Sequence, residues 1–427
     1  LLFASILLAG VLYGMRAPWV AIIGWTWISM MNPHAYSWRF YDFPVAQVFA
    51  ISAFVGILAS GDKRQFVITR ETVVLMLFMA WMCITLPFSF FFNESFELWK
   101  RVMKIDVMLL VTLAVLYTRK HIMAFAWIIA LSLAFYGVKG GLFTLAHGGS
   151  YRVWGPSGGY IEGNNEIGLA LVMTIPLLMF LRSTVQGKWG RRALTASMLL
   201  CAVAALGTHS RGALLAISAM VAVMWWRSER RMLGLLLLPV IAVAMLSFMP
   251  EAWWDRMDTI KTYQDDSSAL GRINAWIFAW NLALDNFFGG GFMVTKRALF
   301  LLYAPEPDRI HAAHSIYFMV LGEHGFVGLF LFLLLFVLTW FSAGRLRKLG
   351  RLQPETKWLS DLGAMCQVSL AGYAVGGAFL SLSYWDLPYN IMALVVLGNR
   401  WLDNKQWLTE PAKVEFFSFG KKKAKPA

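Results

Sequence analysis

Apolar runs of membrane-crossing length recur along almost the whole chain, separated by short bursts of Lys and Arg, and few folds accept that pattern. A transmembrane helix needs about 20 mainly apolar residues. Runs near that length cover 44–60, 72–92, 105–118, 121–146, 165–182, 193–207, 212–226, 232–249, 315–342, 362–382 and 387–401. Residues 1–14 and 17–32 form two shorter runs broken by Arg16 and Pro18, readable as two helices or as one kinked or re-entrant element. The expectation is an all-α polytopic membrane protein with about twelve transmembrane helices. Strands of alternating polarity are missing, which argues against an outer-membrane barrel. Hydrophobic residues make up 59% of the 427 residues and charged ones only 15%, a balance that excludes disorder and a soluble nucleic-acid binder. The net charge of +14 is scattered between apolar runs instead of forming one patch, so no nucleic-acid partner is expected. Cys83, Cys201 and Cys366 lie in apolar stretches and read as buried free thiols.

Orientation follows from the basic connections, which face the cytoplasm. They are Lys63/Arg64/Arg70, Arg119/Lys120, Arg182/Lys188/Arg191/Arg192, Arg227/Arg230/Arg231 and Arg345/Arg347/Lys348/Arg351/Lys357, joined by Lys421, Lys422, Lys423 and Lys425 of the tail. Because every second connection is basic, 33–43, 93–103, 147–164, 208–211, 250–313 and 383–386 fall outside. The 93–103 connection fits poorly, since Lys100, Arg101 and Lys104 cluster there, although Glu94 and Glu97 accompany them. The chain divides into an N-terminal transmembrane bundle (1–249), a long outer segment (250–313), C-terminal transmembrane helices (314–402) and a basic cytoplasmic tail (403–427). Within the outer segment Ile273, Trp276, Ile277, Trp280 and Leu284 share one helical face, the pattern of an amphipathic helix lying on the membrane surface.

Charge near the outer membrane surface is costly unless paired or functional. Lys139 in YGVKGG, Arg152 in YRVWGP, Arg211 in THSRGALL and Arg272 in SALGRINAW carry such charge on one face of the membrane. Each has an ordinary explanation: snorkelling for Lys139 and Arg152, a helix-start contact for Arg211, headgroup pairing for Arg272. Together they suit a diphosphate, because the guanidinium fork donates two hydrogen bonds to phosphate oxygens. Among the histidines, His121 reads as a cytoplasmic loop residue, and His34, His147 and His324 as helix-end or interfacial residues. His209 supports the turn before Arg211. His311 and His314 sit where the outer segment re-enters the membrane, but no third ligand at helical spacing completes a metal site. Asp265 and Asp266 read as a solvated acidic turn before a divalent-ion site. The chain carries no nucleotide-binding P-loop and no Gly-x-Ser-x-Gly elbow, and no cofactor is expected.

The stretch HSIYFMVLGEHGFVG at 314–328 resembles the signature of the O-antigen ligase and polymerase superfamily, and SRG at 210–212 and GR at 271–272 match it in order and spacing. Over nearly its full length the chain is similar to WaaL-type O-antigen ligases. It is closest to the O-glycosylation ligase branch through MNPH at 31–34, FYGVKGGLF at 135–143, YRVWGP at 151–156 and GRINAWIFAWNLALD at 271–285. The resemblance implies a GT-C-type glycosyltransferase in the bacterial inner membrane with a periplasmic active site. It implies a donor glycan on undecaprenyl diphosphate, the outer core sugar of lipid A–core as acceptor, and inverting, metal-independent chemistry.

Residue chemistry and resemblance lead to the same scheme. A sugar hydroxyl is a weak nucleophile, and a neutral imidazole at His314 takes its proton, a contribution of ~10²–10⁴-fold. The departing lipid diphosphate is already a stable anion and needs cations instead of an acid, with Arg211 and Arg272 first and Lys139 and Arg152 second. Glu323, roughly 13 Å along an ideal helix from His314, is expected to form a buried structural pair. An O-antigen polymerase or a protein O-oligosaccharyltransferase would share this logic with a different acceptor. A transporter is the alternative outside enzymes, disfavoured by intramembrane stretches poor in Asp and Glu.

Overall fold

The structure, a computed structural model, describes residues 2–36, 43–59, 68–227, 245–258 and 267–411, together with Val240 and Val243. All regular structure among the described residues is helical. The first half contains α1 (Leu2–Gly14), α2 (Pro18–Met31), α3 (Val45–Ala59), α4 (Arg70–Thr85), α5 (Phe92–Val115), α6 (Arg119–Ala146), α7 (Asn164–Thr184), α8 (Lys188–Gly207) and α9 (Arg211–Arg227). The second half contains α10 (Glu251–Asp258), α11 (Ser267–Asp285), α12 (Arg297–Tyr303), α13 (Ile316–Leu349), α14 (Lys357–Gly377) and α15 (Asp386–Asp403).

The boundaries follow local chemistry. The opening pair resolves into two helices, with Pro18 at the first position of α2, where its missing N–H costs nothing. Thr69 caps α4 by accepting from the Thr72 N–H, and Thr118 caps α6 by accepting from the His121 N–H. His121 therefore belongs to the first turn of α6, buried and stacked on Trp19, and is not a loop residue.

Among the described residues, Arg70–Phe88, Arg119–Ala146, Asn164–Thr184 and Ile316–Leu349 are long and apolar enough to cross a membrane. Phe3–Gly14, Pro18–Met31, Val45–Ala59 and Arg211–Trp226 are apolar but shorter. The expectation of about twelve spans is thus met only in its coarse form, a helical membrane protein. The expected span 232–249 lies mostly outside the described residues, as do Lys63, Arg64, Arg230, Arg231 and the lysines of the tail.

Two expected boundaries move. The run 72–92 ends early, in a 3-10 turn at Leu86–Phe88 around Pro87. The outer connection 93–103 is not a loop: α5 runs through it without a break, with Lys100 paired to Glu97 at 2.7 Å one turn away. Cys201 and Cys366 are buried as expected, but Cys83 is exposed.

Helices α6, α7 and α8 pack side by side, and α14 packs on α7, α9 and α13. Close contact between such helices comes from van der Waals fit, because lipid tails are as apolar as Leu. The connections at 86–91, 147–163, 208–210 and 378–385 and residues 251–258 and 267–315 meet at one end of the bundle, the end that the sequence expectation places outside. Hydrogen bonds tie them together: Phe90 N–H to Gly290 O (3.1 Å), His209 Nε2 to Gly149 O (2.8 Å), and Trp253 Nε1 to Leu206 O (3.1 Å).

Helix α11 forms where the amphipathic pattern places a helix, but it has two apolar faces. Gly271, Asn274, Ala275, Phe278, Leu282 and their neighbours are buried against the protein. Ile277, Trp280 and Leu284, from the face that the sequence singles out, stay exposed. Trp276 leaves that stripe and stacks on Phe318.

Candidate active site

The motif GRINAW at the start of α11 builds one wall of the site. Asn274 donates from Nδ2 to the carbonyls of Glu306 (2.9 Å) and Arg309 (3.0 Å), and its Oδ1 accepts from the Glu306 N–H (2.9 Å). Trp276 donates from Nε1 to the Ala313 carbonyl at 2.7 Å. These bonds fasten the extended segment before α13 along the helix. At Gly271 a Cβ would stand 3.0 Å from the His311 ring, so the absence of a side chain lets that ring settle on the helix. His314 follows with φ +39°, a left-handed conformation that non-glycine residues hold only under constraint.

His314 Nδ1 is buried without a hydrogen-bond partner among the described residues, and its ring lies 5.2 Å from that of His311. Burial pushes its pKa down to about 4, with the Arg272 cation and His311 acting in the same direction. At neutral pH the imidazole is uncharged and able to accept a proton. Among the described residues no group of three or more His, Cys, Asp and Glu gathers here or elsewhere. Asp265 and Asp266 lie outside the described residues.

Arg272 also acts electrostatically on Glu166, in the first turn of α7. That carboxylate folds back over the helix start, within 2.0 Å of where a Gly163 Cβ would stand, in the manner of a capping acid. Asn164 beside it donates to Thr208 O at 2.8 Å, which docks α7 onto the turn that opens α9. Arg211 is the first residue of α9, where the Ser210 hydroxyl accepts from the Ala213 N–H (3.1 Å). Glu166 and its neighbours thus link the turn bearing Arg211 to the helix bearing Arg272. The reading of the sequence missed Glu166, although an acid opening the apolar run GNNEIG is a helix-start signal.

Arg152 is exposed and acts electrostatically on His209, as does Arg256 of α10, whose Nε donates to the His209 carbonyl at 2.9 Å. Burial lowers the His209 pKa, against the bond to Gly149 O that favours its charged form. His209 holds the turn together, as expected. Lys139 is exposed on α6, with its ammonium 5.3 Å from the centre of the Tyr36 ring, and makes no hydrogen bond or ion pair with the His314 group. His147 closes α6 with Nδ1 2.9 Å from Phe143 O, a helix-end role.

The rest of the 314–328 motif is structural. Glu323 accepts from the Met293 N–H (3.0 Å) with Oε1 and from the Tyr384 hydroxyl (2.6 Å) with Oε2, at 3% exposure. The expected buried structural role holds, but the partners are an amide and a phenol, not a cation. His324 is not interfacial: it is 0% exposed, bonds Thr85 Oγ1 through Nδ1 at 2.8 Å, and packs against Phe78 and Phe292. Gly325 breaks α13 with φ +66° and ψ −170°, a backbone open essentially to glycine alone. Beside that break the Gly322 and Glu323 carbonyls accept from the Gly290 and Gly291 N–H groups, both at 2.9 Å. Glu-His-Gly is therefore the joint where α13 meets the loop after α11.

Comparison with known families agrees with this geometry. Residues 1–186 match a family of unknown function, DUF5935. No curated protein matches the chain significantly. Residues 196–333 match the family model described as O-antigen ligase, a segment that contains Arg211, Arg272, His314 and the Gly325 joint. Over that segment the chain is similar to the O-antigen ligase family.

Proposed function

We propose that this protein transfers a glycan from undecaprenyl diphosphate to a sugar hydroxyl of lipid A–core, at the periplasmic face of the bacterial inner membrane. The observation that carries the reading is His314 itself: an uncharged ring with an unbonded nitrogen, in a constrained backbone beside Arg272, inside the segment that matches the O-antigen ligase model. In the proposed step the acceptor oxygen attacks the anomeric carbon as His314 removes its proton. The bond from that carbon to the diphosphate oxygen breaks on the opposite side, so configuration inverts. The bonding pair leaves with the lipid diphosphate, which departs as an anion held by Arg272 and Arg211. Arg152 contributes from the neighbouring turn. Lys139, on α6, is the weakest candidate for the clamp. The arginines supply the positive charge, so the scheme is metal-independent and of the GT-C kind.

Purified protein given lipid-linked glycan together with lipid A–core, a peptide, or a second lipid-linked glycan tests the acceptor. Product with lipid A–core alone is expected. Product only with the second lipid-linked glycan makes the protein a polymerase, and product only with peptide makes it a protein O-oligosaccharyltransferase. Transfer that survives excess chelator supports the metal-free scheme; loss restored by Mg²⁺ or Mn²⁺ overturns it.

A further inference from the structure

The cations that fit the loop-charge pattern worst have a place of their own. Arg101 and Lys104 lie on α5, about 13 and 18 Å along it from Phe92 at 1.5 Å per residue. Lys100 has Glu97, but Arg101 and Lys104 have no ion pair or hydrogen bond among the described residues. Both line a cavity of about 600 Å³ that opens on the same end of the bundle as His314. On α5 the lining residues Arg101, Lys104, Ile105 and Met108 follow helical spacing, charge towards the outer end and apolar surface below.

The remaining walls divide in the same way. Asn32, Ser29, Asp386 and Tyr160 bring hydroxyl, amide and carboxylate groups to the upper part. Ser29 donates to Asp386, and Asn32 Nδ2 bonds Ser157 O at 3.1 Å, tying the turn after α2 to the loop that carries Tyr160. That loop is closed by Gly155 N–H to Glu162 O at 2.9 Å. Below, Ile51 and Phe54 of α3 face Val107 of α5, and all three remain exposed. Among the described residues α3 packs chiefly on α1 and α2, so Ile51 and Phe54 on one side and Val107 on the other form apolar jambs of the cavity.

Exposed cations without an ion pair among the described residues, polar groups suited to sugar hydroxyls, and apolar jambs below them together describe an amphiphile. We propose that this cavity binds a phosphorylated glycolipid, its phosphate on Arg101 and Lys104 and its acyl chains leaving between α3 and α5. That this lipid is the acceptor rests on the glycan-transfer reading; its binding does not. The cavity also lies close to the proposed chemistry. Tyr160 interacts electrostatically with Asp386 on its own side and with Glu323 beyond, and Glu323 and His311 line one smaller cavity of about 280 Å³.

The test uses the full-length protein in nanodiscs, with phosphorylated lipid A, the same lipid A stripped of phosphate, and phosphatidylglycerol as probes. Wild type is expected to hold phosphorylated lipid A more than about tenfold tighter than the stripped form, since hydrogen bonds to charged groups are the strong ones. Arg101→Ala/Lys104→Ala should abolish that preference, and Arg101→Lys/Lys104→Arg should keep most of it. Ala50→Trp, which fills the cavity from α3, should weaken binding of both forms. Unchanged preference in the double alanine variant overturns the proposal, and so does phosphatidylglycerol competing as well as lipid A. In turnover, the double variant should raise KM for the acceptor and leave KM for the lipid-linked donor alone; the reverse makes the cavity a donor site and overturns the assignment. If wild type transfers no glycan to any acceptor, the function proposed above fails while the binding arms still decide this cavity.

Discussion

Two histidines ten residues apart in one motif have opposite surroundings. His324 is fully buried, bonded through Nδ1 and walled by aromatic rings, with no partner at Nε2 among the described residues; His314 is half-buried, in a left-handed backbone, with no partner at Nδ1 among the described residues. A residue tied to another element by a side-chain hydrogen bond and enclosed by rings contributes to packing, and its removal leaves a hole or an orphan. A residue held in a costly backbone conformation without such a bond contributes less to stability. On the proposed function, the contrast separates the part of the motif proposed for chemistry from the part that builds the joint.

Removing each part should therefore fail differently. His314→Ala is expected to reduce transfer by at least ~10²-fold with yield, thermal midpoint and donor binding close to wild type. Near-normal turnover in that variant would remove the base assignment. Gly325→Ala should act the other way. A Cβ there would stand 2.4 Å from the Phe287 carbonyl, on a backbone that side chains rarely adopt. The strain is about 1–3 kcal/mol before the clash is counted, so the variant should express poorly or melt early, with activity lost in proportion to folded protein. A well-folded but inactive Gly325→Ala would put the joint in the chemistry instead.

Acidity sharpens the comparison at the active half. With its pKa near 4, His314 in the free protein stays uncharged down to about pH 4, so kcat/KM should hold as pH falls and drop only there. A bound diphosphate beside Arg272 offsets part of what depresses the ring, so the acid limb of kcat should lie higher, towards the ordinary histidine value. Arg272→Ala removes the same influence without substrate: the kcat/KM limb should rise in pH, while KM for the donor increases by about tenfold or more. A limb that stays put in Arg272→Ala would mean that the two groups do not communicate.

How much of this the residues announced depended on distance along the chain. Helices that are apolar nearly all round, such as α6 and α7, lie within two residues of the expected bounds because run length alone marks them. His314 and Arg272 were legible as chemistry-bearing types at a membrane boundary. Their electrostatic coupling depends on Asn274 and Trp276 gripping a segment some 35 residues away, which no local pattern encodes. The same holds for Glu323, whose partners Met293 and Tyr384 come from two other segments. On α11 the periodicity identified one apolar face, but such spacing does not say which face packs on the protein, and on α11 one apolar face is buried while the other stays exposed. The charges at 93–103 suggested a connection because a continuous helix with cations turned into a cavity looks, residue by residue, like a charged loop.

The smallest effect should come from Glu323→Gln. The carboxylate is the acceptor for one backbone N–H and one phenol, and an amide oxygen can replace only one of those two acceptors without turning its NH₂ towards the other donor. Loss of one buried hydrogen bond to a charged group costs about 1.5–3 kcal/mol, enough to lower the thermal midpoint by several degrees without unfolding a large helical bundle. If Glu323 only pins the joint, transfer per folded molecule should remain within a few-fold of wild type, and Tyr384→Phe should lower stability in the same direction with little further loss in the double variant, because both remove the same bond. Should Glu323→Gln keep its melting behaviour yet lose transfer as His314→Ala does, the division of the motif into a chemical and a structural half would be wrong, and the carboxylate would belong with the imidazole.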